Sequence, residues 1–152
     1  MDSIEVIVHI VHVLAAGIWL GGLVFTTIVV SPAFKAMSWT PAERMAVRSA
    51  VGRQYTKVAN PNLILLVIFA TADAALRGWS MARGIEIVLA IIIANLAVLH
   101  GLVFAPRLGA AARENRHDDR AKLLRLSIGI SMLNLLLSFV VMILAIGFGV
   151  SM

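Results

Sequence analysis

Ionisable side chains embedded in apolar sequence are costly and usually mark a site, so they are read first. Glu5, His9 and His12 follow one another at steps of four and three, which stacks a carboxylate and two imidazoles on one helix face. The same line continues to Ala16 and Trp19. Imidazole and carboxylate are ligands for Cu(II), Zn(II), Fe and Ni, and two histidines one turn apart can hold one ion. A plainer expectation stands beside this one: Glu5 and His9 at headgroup level, and His12 hydrogen-bonded to a neighbouring backbone.

Three further stretches carry polar stripes. Asn62 and Asp73, eleven residues apart, share a face, as do Glu86 and His100, fourteen apart. Ser127, Ser131, Asn134 and Ser138 recur at steps of four, three and four, with Met142 four residues on. Small polar residues on such a seam commonly join helices. Met142 adds a thioether of the kind that suits Cu(I), although packing is the commoner use of a lone methionine. The metal-ligand candidates are therefore Glu5, His9, His12, Asp73, Glu86 and His100, and the cofactor-ligand candidates are His12 and His100.

The elements that must position these residues are set by hydropathy. The 152-residue chain is 61% hydrophobic and 14% charged, with a mean hydropathy of +0.95, too apolar for a water-soluble domain. Crossing a bilayer takes roughly 20 apolar residues, and four stretches suffice, about 4–30, 58–76, 85–105 and 124–150. The expectation is a single all-α integral membrane domain over 1–152, an antiparallel four-helix transmembrane bundle with a polar interior seam. Zero cysteines remove thiolate metal sites, iron–sulfur clusters and thiol catalysis. The net charge of +5 collects between spans and reads as a topology signal; no nucleic-acid partner is expected.

Lys35, Arg44, Arg48, Arg53 and Lys57 lie between the first two spans, and Arg107, Arg113, Arg116, Arg120 and Lys122 between the last two. The positive-inside rule places both groups in the cytoplasm and both termini outside. Acidic Asp2 and Glu5 stand where a signal peptide would be basic, so the first span is expected to be retained. Thr40-Pro41-Ala42-Glu43 is a capping box that starts a helix, either on the lipid surface or continuous with span two, where Pro61 would kink it. Trp39, Tyr55 and Trp79 read as interface-belt residues, and Gly17 and Gly21 as a pair permitting close helix approach within the bundle or in a dimer. Gly-Leu-Val-Phe at 22–25 and 101–104, each ahead of a proline, suggests a duplicated hairpin. By depth, His9, His12, Asp73, Glu86 and Met142 fall in the outer half. His100, Asn62 and Ser127 fall toward the cytoplasm, with His12 and His100 roughly 20 Å apart at 1.5 Å per residue.

His12-Val-Leu-Ala-Ala-Gly-Ile-Trp-Leu-Gly-Gly-Leu-Val-Phe, followed by Ser31-Pro32-Ala33-Phe34, resembles the first helix of the CopD-type copper-resistance membrane domain. His100 ahead of Pro106-Arg107 is similar in placement to that family's third-helix histidine. The related HemJ-type haem proteins share this style of opening helix. The resemblance implies a helical domain of the bacterial inner membrane that handles copper, with His12, and with it His9 and His100, as functional residues.

Three functions follow as expectations. The first is binding or transport of copper or another late first-row metal. The second is a b-type haem protein in electron transfer or porphyrin or quinone oxidation, for which axial histidines from facing helices must lie at one depth. The third is a non-catalytic small membrane subunit whose histidines only hydrogen-bond. A homo-oligomer or a larger membrane complex is compatible with each.

Overall fold

Glu5 and Glu43 begin the first two spans by the same device. The Glu5 carboxylate accepts from the Asp2 amide at 3.2 Å, and that of Glu43 accepts from the Thr40 amide at 2.8 Å while the Thr40 hydroxyl accepts from the Glu43 amide at 3.3 Å. Each supplies partners to amides that the first helical turn leaves open. The computed structural model describes residues 2–150. In chain order these form α1 (Ser3–Val24), a π-helical turn (Phe25–Val30), α2 (Ser31–Ala36), α3 (Pro41–Arg77), α4 (Met81–Leu99), a second π-helical turn (His100–Phe104), α5 (Ala105–Arg113) and α6 (His117–Val150). There is no strand among the described residues.

Four of these runs are long and apolar enough to cross a membrane: Ser3–Ala36, Glu43–Arg77, Met81–Arg113 and His117–Gly147. The fold is the expected all-α four-helix transmembrane bundle. Each helix outruns its apolar stretch, because hydropathy falls where charges begin while backbone hydrogen bonding continues. The helix starting after Thr40 is continuous with span two, with Pro61 inside it. Going round the bundle, α1 packs on α3 and α6, and α4 packs on the same two, so α1 and α4 face each other across the diagonal. One end carries the N-terminus and the α3–α4 turn, and is called the terminal end. The other carries the two arginine-rich connections, and is called the basic end.

The interior is built from small residues and a few large ones. Ala15, Ala16 and Trp19 of α1 meet Ala59, Leu63 and Leu66 of α3, Ala90 and Ile93 of α4, and Val141 of α6. Ile7, Leu14, Ile18, Ile64, Ile68, Val88, Leu136 and Ile143 lie exposed on the outside, as a bundle solvated by lipid requires.

Within the bundle, the tightest glycine contact lies one residue beyond the expected pair. A Cβ on Gly21 would meet nothing within 4 Å and one on Gly17 only Met142 at 3.9 Å, whereas one on Gly22 would lie 2.7 Å from the Tyr55 ring. Tyr55 is thus a packing residue, its ring centroid 6.3 Å from that of Trp19. Gly22→Val is expected to cost about 1–3 kcal/mol by overpacking, read as a lowered unfolding midpoint in detergent. Combining it with Tyr55→Leu should recover part of that loss.

The two π turns each end two residues ahead of a proline, Pro32 and Pro106. Immediately before each, the backbone bond is i→i−5, from Ser31 N–H to Thr26 O and from Ala105 N–H to His100 O. Widening the helix there relieves the clash a proline ring makes with the preceding turn. The two Gly-Leu-Val-Phe copies are not in matching positions, since the first ends where its π turn begins and the second lies within its own. What the two hairpins share is the π turn and its proline.

Candidate intramembrane histidine–carboxylate site

The stripe expected on the first span faces the interior: His12, Ala16 and Trp19 are buried. His12, 1% exposed, reaches across the diagonal to Glu86 of α4, 5% exposed, with Nε2 and Oε1 2.7 Å apart. With Glu86 as the carboxylate Nε2 donates, and in the neutral ring Nδ1 then carries a lone pair. That Nδ1 is buried and has no hydrogen-bond partner among the described residues.

One turn earlier, His9 Nδ1 lies 3.4 Å from Asp73 Oδ1 on α3. Asp73 is shared, because Arg77 Nη1 stands 3.4 Å from Oδ1 and Arg83 Nε 4.0 Å from Oδ2. Arg83 also donates through Nη1 to the carbonyl of Arg77 at 2.9 Å and to that of Gly78. This satisfies carbonyls that the end of α3 leaves open. Gly78 makes the turn at φ +89°, a conformation that excludes most side chains. Asp73 is therefore the hub that ties α1, α3 and the first turn of α4 together.

Below His12 a ladder of bonds continues toward the basic end. Asn62 Nδ2 donates to the Ala15 carbonyl at 2.9 Å, so Asn62 lies one turn below His12 and not at the depth of His100. Trp19 Nε1 donates to Ser138 Oγ at 2.9 Å, and Ser138 donates to the Asn134 carbonyl at 2.7 Å. His100 pairs with Ser127 at 2.8 Å. The seam of span four thus joins helices at Trp19 and His100. Fourteen residues separate Glu86 from His100, so the His12–Glu86 pair and His100 stand roughly 20 Å apart along the axis at 1.5 Å per residue.

The six candidate ligands do not converge on one point. Among the described residues no group of three or more His, Asp or Glu side chains is placed to hold a metal ion. Glu5 is turned onto its own helix start. His9 pairs with Asp73, His12 with Glu86, and His100 with Ser127. Arg77 at the end of α3 and Arg83 in the first turn of α4, neither of them among the six candidates, belong to the site. The i, i+4 spacing of Asp73 and Arg77 is the local signal for the first of them.

Residues 14–117 match the family profile described as a domain of unknown function, DUF4149, more than half of the chain. The chain belongs to the DUF4149 family. The matched stretch contains Asp73, Glu86 and His100, begins just after His12, and stops before the seam of α6. It supplies no link to the CopD-type or HemJ-type families. No curated protein and no solved structure matches the chain.

Proposed function

We propose that this DUF4149 chain binds a late first-row transition metal within the membrane, copper being the ion its donors fit, and that His12 takes the ion. The observation that carries this reading is the buried, unpartnered His12 Nδ1 on a ring whose Nε2 is held by Glu86. A carboxylate on one ring nitrogen fixes the tautomer and orientation of a metal-binding imidazole, presenting the other nitrogen to the ion. His9 lies one turn away, and Met142 faces α1 at Gly17, adding nitrogen and thioether donors of the class that suits copper. Structural metal sites are closed by four ligands. So sparse a donor set suits an ion that is cargo, with His100 a second station toward the basic end. The likeness of the first helix to CopD-type domains supports the same ion.

Haem is served less well. Nε2 is engaged in both His12 and His100, and the two rings stand roughly 20 Å apart along the axis at 1.5 Å per residue, so they cannot serve as a pair of axial ligands at one depth. Metal analysis with an optical spectrum of the detergent-purified protein tests the reading: copper without a Soret band is expected. A Soret band would replace it with the haem function, and neither metal nor haem would leave a hydrogen-bonded membrane subunit.

The orientation we propose has the basic end cytoplasmic and both termini outside, in a bacterial inner membrane, supported by the arginines of the two long connections. Reporter fusions at Arg48, Ser80 and Asn115 are expected to read inside, outside, inside. The reverse pattern would move His12 to the cytoplasmic side.

A further inference from the structure

Charge that no carboxylate answers collects at the basic end. α3 and α6 both begin there and stand diagonally opposed. Between their first turns lies a cleft of about 140 Å³ lined by Arg44, Met45 and Arg48 of α3 and Arg120 of α6. Among the described residues no carboxylate is within ion-pair distance of any of these three arginines. Glu43 is engaged by Thr40 and Asp119 by Arg116 at 2.7 Å, and neither Glu114 nor Asp118 lines the cleft. Arg44 donates through Nη2 to the Trp39 carbonyl at a long 3.4 Å, and its Nε is buried without a hydrogen-bond partner.

Three guanidinium groups lining one small space repel one another, and both helices present the positive ends of their dipoles there. An oxyanion removes both costs, and the planar fork of arginine matches phosphate oxygens in pairs. We propose that this cleft is a binding site for a phosphate group, which ties α3 to α6 across the diagonal of the bundle. A lipid headgroup or a free phosphate can supply that chemistry. A basic pocket between membrane helices is the setting in which anionic headgroups are held. The site lies at the opposite end from His12 and does not depend on the metal reading.

The full-length protein is titrated by native mass spectrometry with phosphatidylglycerol and with phosphatidylcholine, and separately with inorganic phosphate. Phosphatidylglycerol is expected to bind in preference to phosphatidylcholine. Arg48→Gln and Arg120→Gln are each expected to weaken it about fivefold, the equivalent of about 1 kcal/mol per basic residue. Arg125→Gln makes the same charge change at an exposed position that does not line the cleft, and should leave binding unaltered. Inorganic phosphate that binds with the same dependence on Arg48 and Arg120 would keep the site and name free phosphate as its occupant. Equal losses in all three variants, or none in Arg48→Gln and Arg120→Gln, would overturn the proposal. Thermal unfolding of each variant without lipid separates lost binding from lost folding.

Discussion

Glu86→Leu is expected to weaken copper binding roughly 10- to 100-fold, the usual effect of removing a carboxylate that orients a metal-binding histidine. The substitution leaves His12 in place but withdraws the acceptor 2.7 Å from its Nε2. The ring is then free to rotate and to move its proton to Nδ1, the nitrogen assigned to the ion. Glu86→Gln should fall between this variant and the parent, because an amide oxygen still accepts from Nε2. His12→Ala should abolish the binding and His117→Ala should not change it, since His117 is exposed at the start of α6. Isothermal titration with copper in detergent reads all four. An affinity unchanged by Glu86→Leu would show that Glu86 orients nothing that the ion uses.

The second large effect falls on stability. Asp73→Ala withdraws a carboxylate, itself 6% exposed, from two guanidinium groups and from His9. Breaking a buried ion pair by removing one partner costs about 3–5 kcal/mol, because charge is left without its counterion. Arg83→Gln should cost less, as its contact with Asp73 is the longest of the three at 4.0 Å. Copper affinity measured on the folded fraction is expected to fall less than in Glu86→Leu, since Asp73 contacts the flanking donor His9 at 3.4 Å and not His12. A destabilisation under about 1 kcal/mol, the range of exposed pairs, would mean that water and headgroups reach this cluster. A large loss of copper affinity would instead return Asp73 to the ligand set.

Much of the architecture is legible in local sequence. A run of apolar residues long enough to cross hydrocarbon must satisfy its backbone internally, and a helix does so within one segment, so the four spans follow from hydropathy alone. The face of each span that turns inward follows from the 3.6-residue period, which is why His12, Ala16 and Trp19 are buried together, as are Asn62 and Asp73. The capping box at Thr40 and Glu43 is equally local, and its start to α3 is where the residue types place it.

Partnership between spans is not local. That Glu86 meets His12 across the diagonal, that Asp73 gathers His9, Arg77 and Arg83, and that Tyr55 fills the space over Gly22 all depend on the rotation and depth of one helix against another. Glu5 shows the limit most plainly, since its spacing puts it on the histidine face while its carboxylate is used by the amides of its own helix start. Composition and periodicity determine which residues enter the interior of this protein. Only the packing of four helices decides which of them touch, because a helix face spans several side chains and a shift of one turn, about 5.4 Å, exchanges one hydrogen-bond partner for another.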